Sequence, residues 1–321
     1  MAITDNIRMT IKVCQLYYEN NLSQKEISVQ LGISRPQVSR LLTNAKINNI
    51  VSIKINNPFL DETRLEQALI KKYGLKDALV LNTNGAKESG RLEEFGRLAA
   101  ACLDAYVTDG NRVGIMSGRT INNVVCAIKH FDRRGLEFVP LVGGIGSVFA
   151  NFHANSIAQK FAECSGGSCL ILNAPFIVQS SEACNVLKNE PEIAAVLQKA
   201  TSCDVAIIGI GQISTQSTTV QAGALSNEDV ENLKSAGAVA SVCASYIDSK
   251  GSLIKTEMSS RSIGITLDKL KKCKTIAIAN GKSKAESIKA TLLGGYVNIF
   301  ITDLETARFM IDEMGKNERG F

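Results

Sequence analysis

Short apolar segments alternate with helical ones from residue 78 to residue 302, and this alternation constrains the fold more than any other feature. The predicted strands are ALVL, RVGIM, EFVPLVG, CLILN, DVAIIGI, VASVCASYI, TIAIA and VNIFIT. Near-continuous apolar strands separated by helices are typical of a mainly parallel sheet that is covered on both faces. The sequence therefore predicts an α/β, doubly wound body, in which ligands bind beyond the carboxyl ends of the strands.

Two of these strand ends are followed by basic side chains at the start of a helix. After RVGIM, Arg119 lies in the segment Ser117, Gly118, Arg119 and Thr120. After TIAIA, the basic residues are Lys282 and Lys284. A cation at a helix N-terminus is unfavourable unless an anion offsets it, and phosphate is the natural anion. Lys284, one turn into its helix, is the better candidate, because Lys282 can simply be solvated. For residues 117–120, an ordinary tight turn remains an equal alternative.

Glycine-rich turns follow two other predicted strands. LVGGIGS (141–147) contains Gly143 and Gly144, which we take as candidates for the ligand site, and GIGQIS spans residues 209–214. Neither segment matches a complete dinucleotide-binding motif, so each is weak evidence by itself. Loop geometry explains both equally well, as it does for Pro175 after CLILN.

Acidic side chains follow two further strands. Asp248, in YIDSKG, can accept hydrogen bonds from sugar hydroxyls, or it can form an Asp-turn with its own backbone. Thr302, at the end of VNIFIT, and Glu305 are expected to form a capping box, so we interpret them, with Asp303, as structural.

The N-terminal segment has the caps and the turn of a helix-turn-helix. A helical pattern over 7–18 is followed by a second helix that begins after Ser23, where Glu26 completes a capping box. Gly32 suits the left-handed position that ends this helix. Ser34 caps a third helix, whose predicted inward face is Val38, Leu41, Leu42 and Ala45.

The outward positions of the third helix favour DNA binding. Arginine and glutamine can make bidentate contacts to base edges in the major groove. The DNA-binding candidates are Ser23, Gln24, Ser34, Arg35, Gln37, Ser39, Arg40 and Lys46. Residues 1–56 hold seven basic and three acidic side chains, so four of the chain's net five positive charges lie there, as expected for a polyanion-binding domain. A solvated helix face is the alternative interpretation.

Composition excludes several other classes of protein. The nine cysteines are scattered without CxxC spacing, and neither histidine has a nearby ligand partner, so no disulfide framework, metal site or cofactor is expected. Charged residues within the first twenty positions argue against a signal peptide. No apolar run is long enough to span a membrane. We therefore expect a cytoplasmic protein.

Two domains are predicted. Residues 1–56 form the DNA-binding domain, in which the alternating segment IVSIKI (50–55) is expected to add a wing. Residues 57–321 begin with an amphipathic linker helix over 60–72, which could pair subunits, and continue as the effector-binding domain. Pro58 marks the boundary.

The succession of motifs resembles the SorC family of sugar-binding transcriptional regulators. LYYENNLSQKEISVQLGISRPQVSRLL resembles the DNA-binding head of that family. The body motifs follow in the family's order: VGIMSGRT, LVGG, NAPFIV, DVAIIGIG, AGAV, YIDSKG, RSIGITL, GKSKAESI and GGYVNIFITDLETA. The resemblance covers nearly the whole chain, and the ordered set is highly specific.

The resemblance implies a winged helix-turn-helix head and a body similar to sugar-phosphate isomerases and deaminases. It implies a phosphate site at residues 117–120 with Lys284, Asp248 on the sugar, operator DNA as a partner, and a homo-tetramer or homodimer. The chain departs from the family pattern at Ser117, often a tryptophan, at Ala240-Ser241, commonly Gly-Asp, and at Asn280, frequently a glycine.

Two functional hypotheses follow. The first is a transcriptional regulator of a carbohydrate-utilisation operon, controlled by a phosphorylated sugar. The alternative is a sugar-phosphate isomerase or deaminase with an added DNA-binding head. An enzyme needs a general acid and base near the pocket, and the sequence offers no convincing partner for Asp248 in such a pair.

Overall fold

The computed structural model describes residues 3–146 and 149–312. The chain divides into two compact units, Met1–Pro58 and Phe59–Phe321. Each unit has its own apolar core, and each is described by itself below. Within the described residues, no helix combines the length and the apolar composition that crossing a bilayer requires.

The described residues of the N-terminal unit form three helices around a small core. They are α1 (Ile3–Cys14), which continues into a π-helical turn (Gln15–Glu19), α2 (Gln24–Leu31) and α3 (Arg35–Ile47). The predicted capping box is present: Ser23 Oγ accepts from the Glu26 N–H at 3.3 Å, and the Glu26 carboxylate accepts from the Ser23 N–H at 2.8 Å. Gly32 is left-handed with φ 65°. The four predicted inward residues of α3 are buried.

Residues 50–57 do not form the predicted wing. The N–H groups of Ile50 and Val51 turn back to the Ala45 carbonyl at the end of α3, at 2.8 and 3.1 Å, and residues 52–57 have no regular structure. The described part of this unit contains no strand with which the alternating segment could pair. The helix-turn-helix is confirmed, whereas the wing is a wrong prediction for this structure.

The second unit is an α/β body. Its strands are β1 (Asp77–Leu81), β2 (Arg112–Ile115), β3 (Glu137–Pro140), β4 (Ser168–Cys169), β5 (Val205–Ile208), β6 (Gly211–Gln212), β7 (Ala240–Val242), β8 (Ser245–Ile247), β9 (Leu253–Ile254), β10 (Lys274–Ile278) and β11 (Ile299–Asp303). Its helices are α4 (Leu60–Tyr73), α5 (Arg91–Leu103), α6 (Arg119–Ala127), α7 (Ala154–Ser165), α8 (Ser181–Asn189), α9 (Pro191–Thr201), α10 (Thr218–Gln221), α11 (Asn227–Ser235), α12 (Glu257–Arg261), α13 (Ala285–Leu293) and α14 (Leu304–Asp312).

The main sheet is parallel and has seven strands in the order β1-β11-β10-β5-β2-β3-β4. Both of its faces are buried, as β5 shows: Val205 and Ile207 point into one apolar core, and Ala206 and Ile208 point into the other. Continuous apolar strands are what such a doubly covered sheet requires. The prediction of a doubly wound, mainly parallel body is therefore confirmed.

A second, antiparallel sheet has the order β6-β7-β8-β9. The segment VASVCASYI, predicted as one strand, is a hairpin in which β7 pairs with β8 and Cys243 turns the chain with φ 51°. A tight turn can be carried by a single residue in the left-handed region, and nothing in the apolar pattern signals it. In CLILN, only Cys169 belongs to a strand.

The predicted cap of the last described helix is also displaced by one residue. Thr302 lies within β11 and is fully buried. Asp303 caps α14 instead, because its Oδ1 accepts from the Thr306 N–H at 2.6 Å. The capping box of Thr302 with Glu305 is therefore wrong, and Glu305 is free to make other contacts.

Candidate functional site

A cavity of about 300 Å³ lies where β2, β5 and β10 end. These three strands are adjacent, with β5 between β10 and β2. The chain continues from β2 to β3 on one side and from β5 to β10 on the other, so the strand order reverses between β2 and β5. A crevice at such a reversal is where doubly wound sheets bind ligands.

The loop after β2 forms one end of this cavity. Helix α6 begins at Arg119, and its N-cap, Gly118, has φ 141° and provides no side-chain cap. The first N–H groups of α6 therefore have no acceptor within the helix. Ser117 and Thr120 line the same end, each only 9% exposed, and neither hydroxyl has a hydrogen-bond partner in the described chain. Hydroxyls that line a cavity and have no partner in the chain are available to a polar ligand.

Two cations meet at this end of the cavity. The Arg119 guanidinium lies 5.6 Å from the centroid of the Phe152 ring and donates to Gln221 Oε1 at 3.3 Å. Lys284 comes from the loop after β10, where burial lowers the pKa of its ammonium group and the charge of Arg119 lowers it further. Among the described residues that line the cavity there is no aspartate, glutamate or histidine. Two positive charges without a counter-charge indicate a site for an anion.

The start of α14 holds the loop that carries Lys284. Gly281, with φ 104°, donates its N–H to Thr306 Oγ1 at 2.8 Å, and its carbonyl accepts from the Lys284 N–H at 3.0 Å. Thr306 is fully buried, and Asp303 fixes its backbone from the other side. The position of Lys284 therefore depends on a short, buried chain of hydrogen bonds.

Lys282 belongs to the same loop but does not line the cavity. Its ammonium group lies 2.7 Å from one carboxylate oxygen of Glu305, and the other oxygen lies 3.6 Å from Arg91. The structure thus brings residues 117–120 together with Lys284 and pairs Lys282 elsewhere.

The sequence interpretation misses most of the neutral polar wall of the cavity. This polar wall comprises Gln212, Ser214, Gln216, Ser217, Thr218, Thr219, Ser241 and Asn280. Six of its members lie in the segment that follows β5, where GIGQISTQSTT (209–219) is rich in hydroxyl and amide groups. That composition directly after a central strand is the signal that could have identified them.

Gly143 and Gly144 do not line the cavity. The Gly143 N–H bonds to the Ile263 carbonyl at 3.0 Å, and Gly144 forms a β-bridge with Pro175. A Cβ atom at Gly143 would lie 2.5 Å from the Pro175 carbonyl oxygen, so a glycine is needed where these segments approach. The structure supports the loop-geometry interpretation of LVGGIGS, whose Ser147 lies outside the described residues.

Asp248 is also absent from the cavity wall. Its Oδ1 accepts from the N–H groups of Lys250 and Ser252, at 2.9 and 2.8 Å, in the turn between β8 and β9. This is the Asp-turn that the sequence left open as an alternative, and it uses one of the two carboxylate oxygens that were considered for sugar hydroxyls.

The N-terminal unit presents the predicted polar face of α3 to solvent. Arg35, Gln37, Ser39, Arg40 and Lys46 are exposed. No hydrogen bond or ion pair engages the two guanidinium groups within the described chain. Ser23 and Ser34 serve as helix caps, and Gln24, in the first turn of α2, is partly exposed.

A helix-turn-helix unit with unpaired arginines, joined in one chain to an α/β body whose cavity is lined by two cations, is typical of ligand-responsive transcription regulators. Residues 57–312 match the family model described as "Putative sugar-binding domain". The deoxyribonucleoside regulator of Bacillus subtilis is 30% identical over 308 residues, which cover 96% of this chain and 98% of that protein. The sorbitol operon regulator of Klebsiella pneumoniae is 29% identical and is covered completely, with 97% of this chain aligned.

The crystal structure of the full-length sorbitol operon regulator SorC from Klebsiella pneumoniae superposes with a TM-score of 0.73 at 29% identity, covering 95% of this chain and 98% of that one. The chain belongs to the SorC family of sugar-binding transcriptional regulators. It is a sugar-responsive transcription regulator and not an enzyme, and the isomerase or deaminase alternative is not favoured.

Proposed function

We propose that the chain regulates a carbohydrate-utilisation operon in response to a phosphorylated sugar, which binds in the cavity of the body. The observation that carries this proposal is the pair of cations, Arg119 and Lys284, at a cavity end that no described carboxylate neutralises. A phosphate satisfies both charges at once. The names of the two relatives, a deoxyribonucleoside regulator and a sorbitol operon regulator, support an effector of the carbohydrate class.

The proposed phosphate position lies against the start of α6. There the free N–H groups of the first turn, the helix dipole and the unpartnered hydroxyls of Ser117 and Thr120 all suit phosphate oxygens. Gly118 lets the backbone approach the anion closely. Arg119 and Lys284 supply the charge. Asp248, Gly143 and Gly144 have no part in this proposal, because they contact other parts of the chain.

The first half of α3 is the proposed DNA-reading element. Arg35, Gln37 and Arg40 are exposed and can reach base edges, and Ser39 lies beside them. Four other residues are suited to phosphate contacts: the cap residues Ser23 and Ser34, together with Gln24 and Lys46. We expect Arg40→Ala to weaken operator binding by about 1–3 kcal/mol. Arg8→Ala, an exposed arginine on α1, is the matched control. Operator affinities that are equal for both variants in a fluorescence titration would remove Arg40 from the interface.

We further propose that the regulator works in the cytoplasm as a homo-tetramer or homodimer. The effector then shifts the balance between subunit arrangements that space the recognition helices differently. Such a shift requires that the effector bind the two arrangements with unequal affinity. A tenfold difference supplies about 1.4 kcal/mol of coupling per site.

The test is a titration of operator DNA, repeated with triose, pentose and hexose phosphates. One of these should change the operator affinity, and Lys284→Ala should abolish that response while leaving effector-free DNA binding intact. Lys76→Ala, an exposed lysine that precedes β1, is the control and should respond like the parent chain. A Lys284→Ala variant that responds at the same effector concentration would refute the assignment.

A further inference from the structure

The charged groups of the cavity are confined to one end. Arg119 and Lys284 are the ionisable side chains among the described residues that line it. The other polar groups of the described lining form the polar wall, whose members carry hydroxyl and amide groups but no charge. A ligand in this cavity therefore meets two positive charges and, elsewhere along the described lining, neutral hydrogen-bonding groups.

Several side chains of the polar wall are available to a ligand. Gln212, Thr218, Thr219, Ser241 and Asn280 make no side-chain hydrogen bond within the described chain. Hydroxyls and amides both donate and accept, so they can match the hydroxyls of a polyol in either direction. The described lining has no carboxylate to receive an ammonium group and no aromatic ring on which a nucleobase could stack.

A third cation, Lys282, is close to Lys284 in sequence but does not line the cavity. Lys282 precedes Lys284 by two residues, and its ammonium group is 2.7 Å from Glu305. The hydrogen bond from Lys282, followed by the charges of Lys282 and Arg91, lowers the pKa of the Glu305 carboxyl, which therefore stays charged. Glu305 thus pairs with a cation that lies two residues before Lys284.

We propose that the cavity selects sugars that carry one phosphate and no other charged group, and that Glu305 sets this selectivity by retaining Lys282. The proposal rests on the proposed function, because it assumes a phosphorylated effector. A second phosphate or a carboxylate on the ligand would face the polar wall without a cation, and a buried, unpaired charge is unfavourable. An ammonium group would add a third positive charge beside two others.

The first experiment measures binding to the full chain by isothermal titration calorimetry. The probes are inorganic phosphate, ribose 5-phosphate, fructose 6-phosphate, glucose 6-phosphate, fructose 1,6-bisphosphate, glucosamine 6-phosphate and 6-phosphogluconate. We expect at least one of the neutral sugar monophosphates to bind, and its doubly charged or amino analogues to bind more weakly by about tenfold or more. If no phosphorylated probe binds, the proposed function fails. If the bisphosphate, the acid or the amino sugar binds as tightly as its neutral counterpart, the selectivity proposal fails and the function stands.

The second experiment tests the role of Glu305. Glu305→Gln should release Lys282 and shift the ratio of bisphosphate to monophosphate affinity toward the bisphosphate by about fivefold or more. The control is Glu137→Gln, because Glu137 likewise bridges two cations, Arg112 and Lys199, but lies at the amino end of β3. That variant should keep the parental ratio.

A double variant separates the proposed mechanism from a general loosening of the loop. Glu305→Gln combined with Lys282→Ala should return the affinity ratio to its parental value, because the released cation is then missing. Lys282→Ala alone should leave the ratio unchanged, and it provides the test if Glu305→Gln does not fold. Three outcomes would each overturn the role of Glu305. They are an affinity ratio that Glu305→Gln does not alter, a double variant that retains the gain in bisphosphate affinity, and a ratio that Lys282→Ala alone changes.

Discussion

The hydrogen bond from Gly281 to Thr306 gives the sharpest test of how the fold positions the site. Thr306→Val keeps the side-chain shape but removes the acceptor of the Gly281 N–H, which lies 2.8 Å from the hydroxyl oxygen. An unsatisfied buried donor costs about 1–3 kcal/mol. For a domain of this size, the midpoint of thermal unfolding should fall by roughly 2–10 °C.

The same substitution should weaken the effector as well as the fold. Without its anchor, the loop that carries Lys284 must be ordered during binding, and we expect the effector Kd to rise by about tenfold, or roughly 1.4 kcal/mol. Thr306→Ser, which retains the hydroxyl, should restore most of the affinity. The measurements are calorimetric titration at 25 °C and thermal unfolding of the same samples.

A matched control separates loss of stability from loss of positioning. Thr291 is also fully buried, but its hydroxyl donates to the Ser287 carbonyl within α13. Thr291→Val should lower stability while the effector Kd stays within about twofold of the parent value. If Thr306→Val lowers stability and also leaves the Kd unchanged, the hydrogen bond supports the fold alone, and the positioning argument is wrong.

Two further outcomes are expected. The effector affinity should fall as the pH is raised through the pKa of Lys284, because deprotonation removes one of the two positive charges. Since that pKa is lowered, the fall should begin at a lower pH than for an ordinary lysine. Titrations from about pH 7 to 10 measure this, and a Lys284→Arg variant, which stays charged, should show a flatter profile. Gly143→Ala should reduce the free energy of unfolding in denaturant by about 1–3 kcal/mol through overpacking, and the effector Kd should stay unchanged. A loss of effector binding without a loss of stability would instead show that Gly143 belongs to the site.

The features that the sequence predicts well are those with a local physical cause. The caps at Ser23 and Ser34 and the left-handed Gly32 are recognisable because each satisfies backbone groups within a few residues. The buried strands are recognisable because a sheet covered on both faces needs continuous apolar runs. The residues at 117–120 and Lys284 could be selected because a cation at a helix start is unusual, and the strand order then brings them to one cavity.

The features that the sequence does not predict depend on distant partners. A period-two pattern at 50–55 cannot show whether a neighbouring strand exists, and no such strand is present in the described head. The carboxylate of Asp248 suited either a sugar or its own turn, and only the positions of the Lys250 and Ser252 N–H groups decide between them. The polar wall is assembled from three separate segments of the chain, and Ser241 joins it through the pairing of β6 with β7.

The two cations also restrict the structural change that an effector can drive. Arg119 begins α6, while Lys284 lies in a loop tied to α14 through Thr306. Two like charges that line one cavity repel, so we expect an empty cavity to favour their separation and a phosphate to draw them together. An effector can shift an equilibrium only by its unequal affinity for the two states. We therefore expect the regulatory change to move α6 relative to the start of α14. A cross-link that holds the two apart should weaken effector binding and abolish the response at the operator.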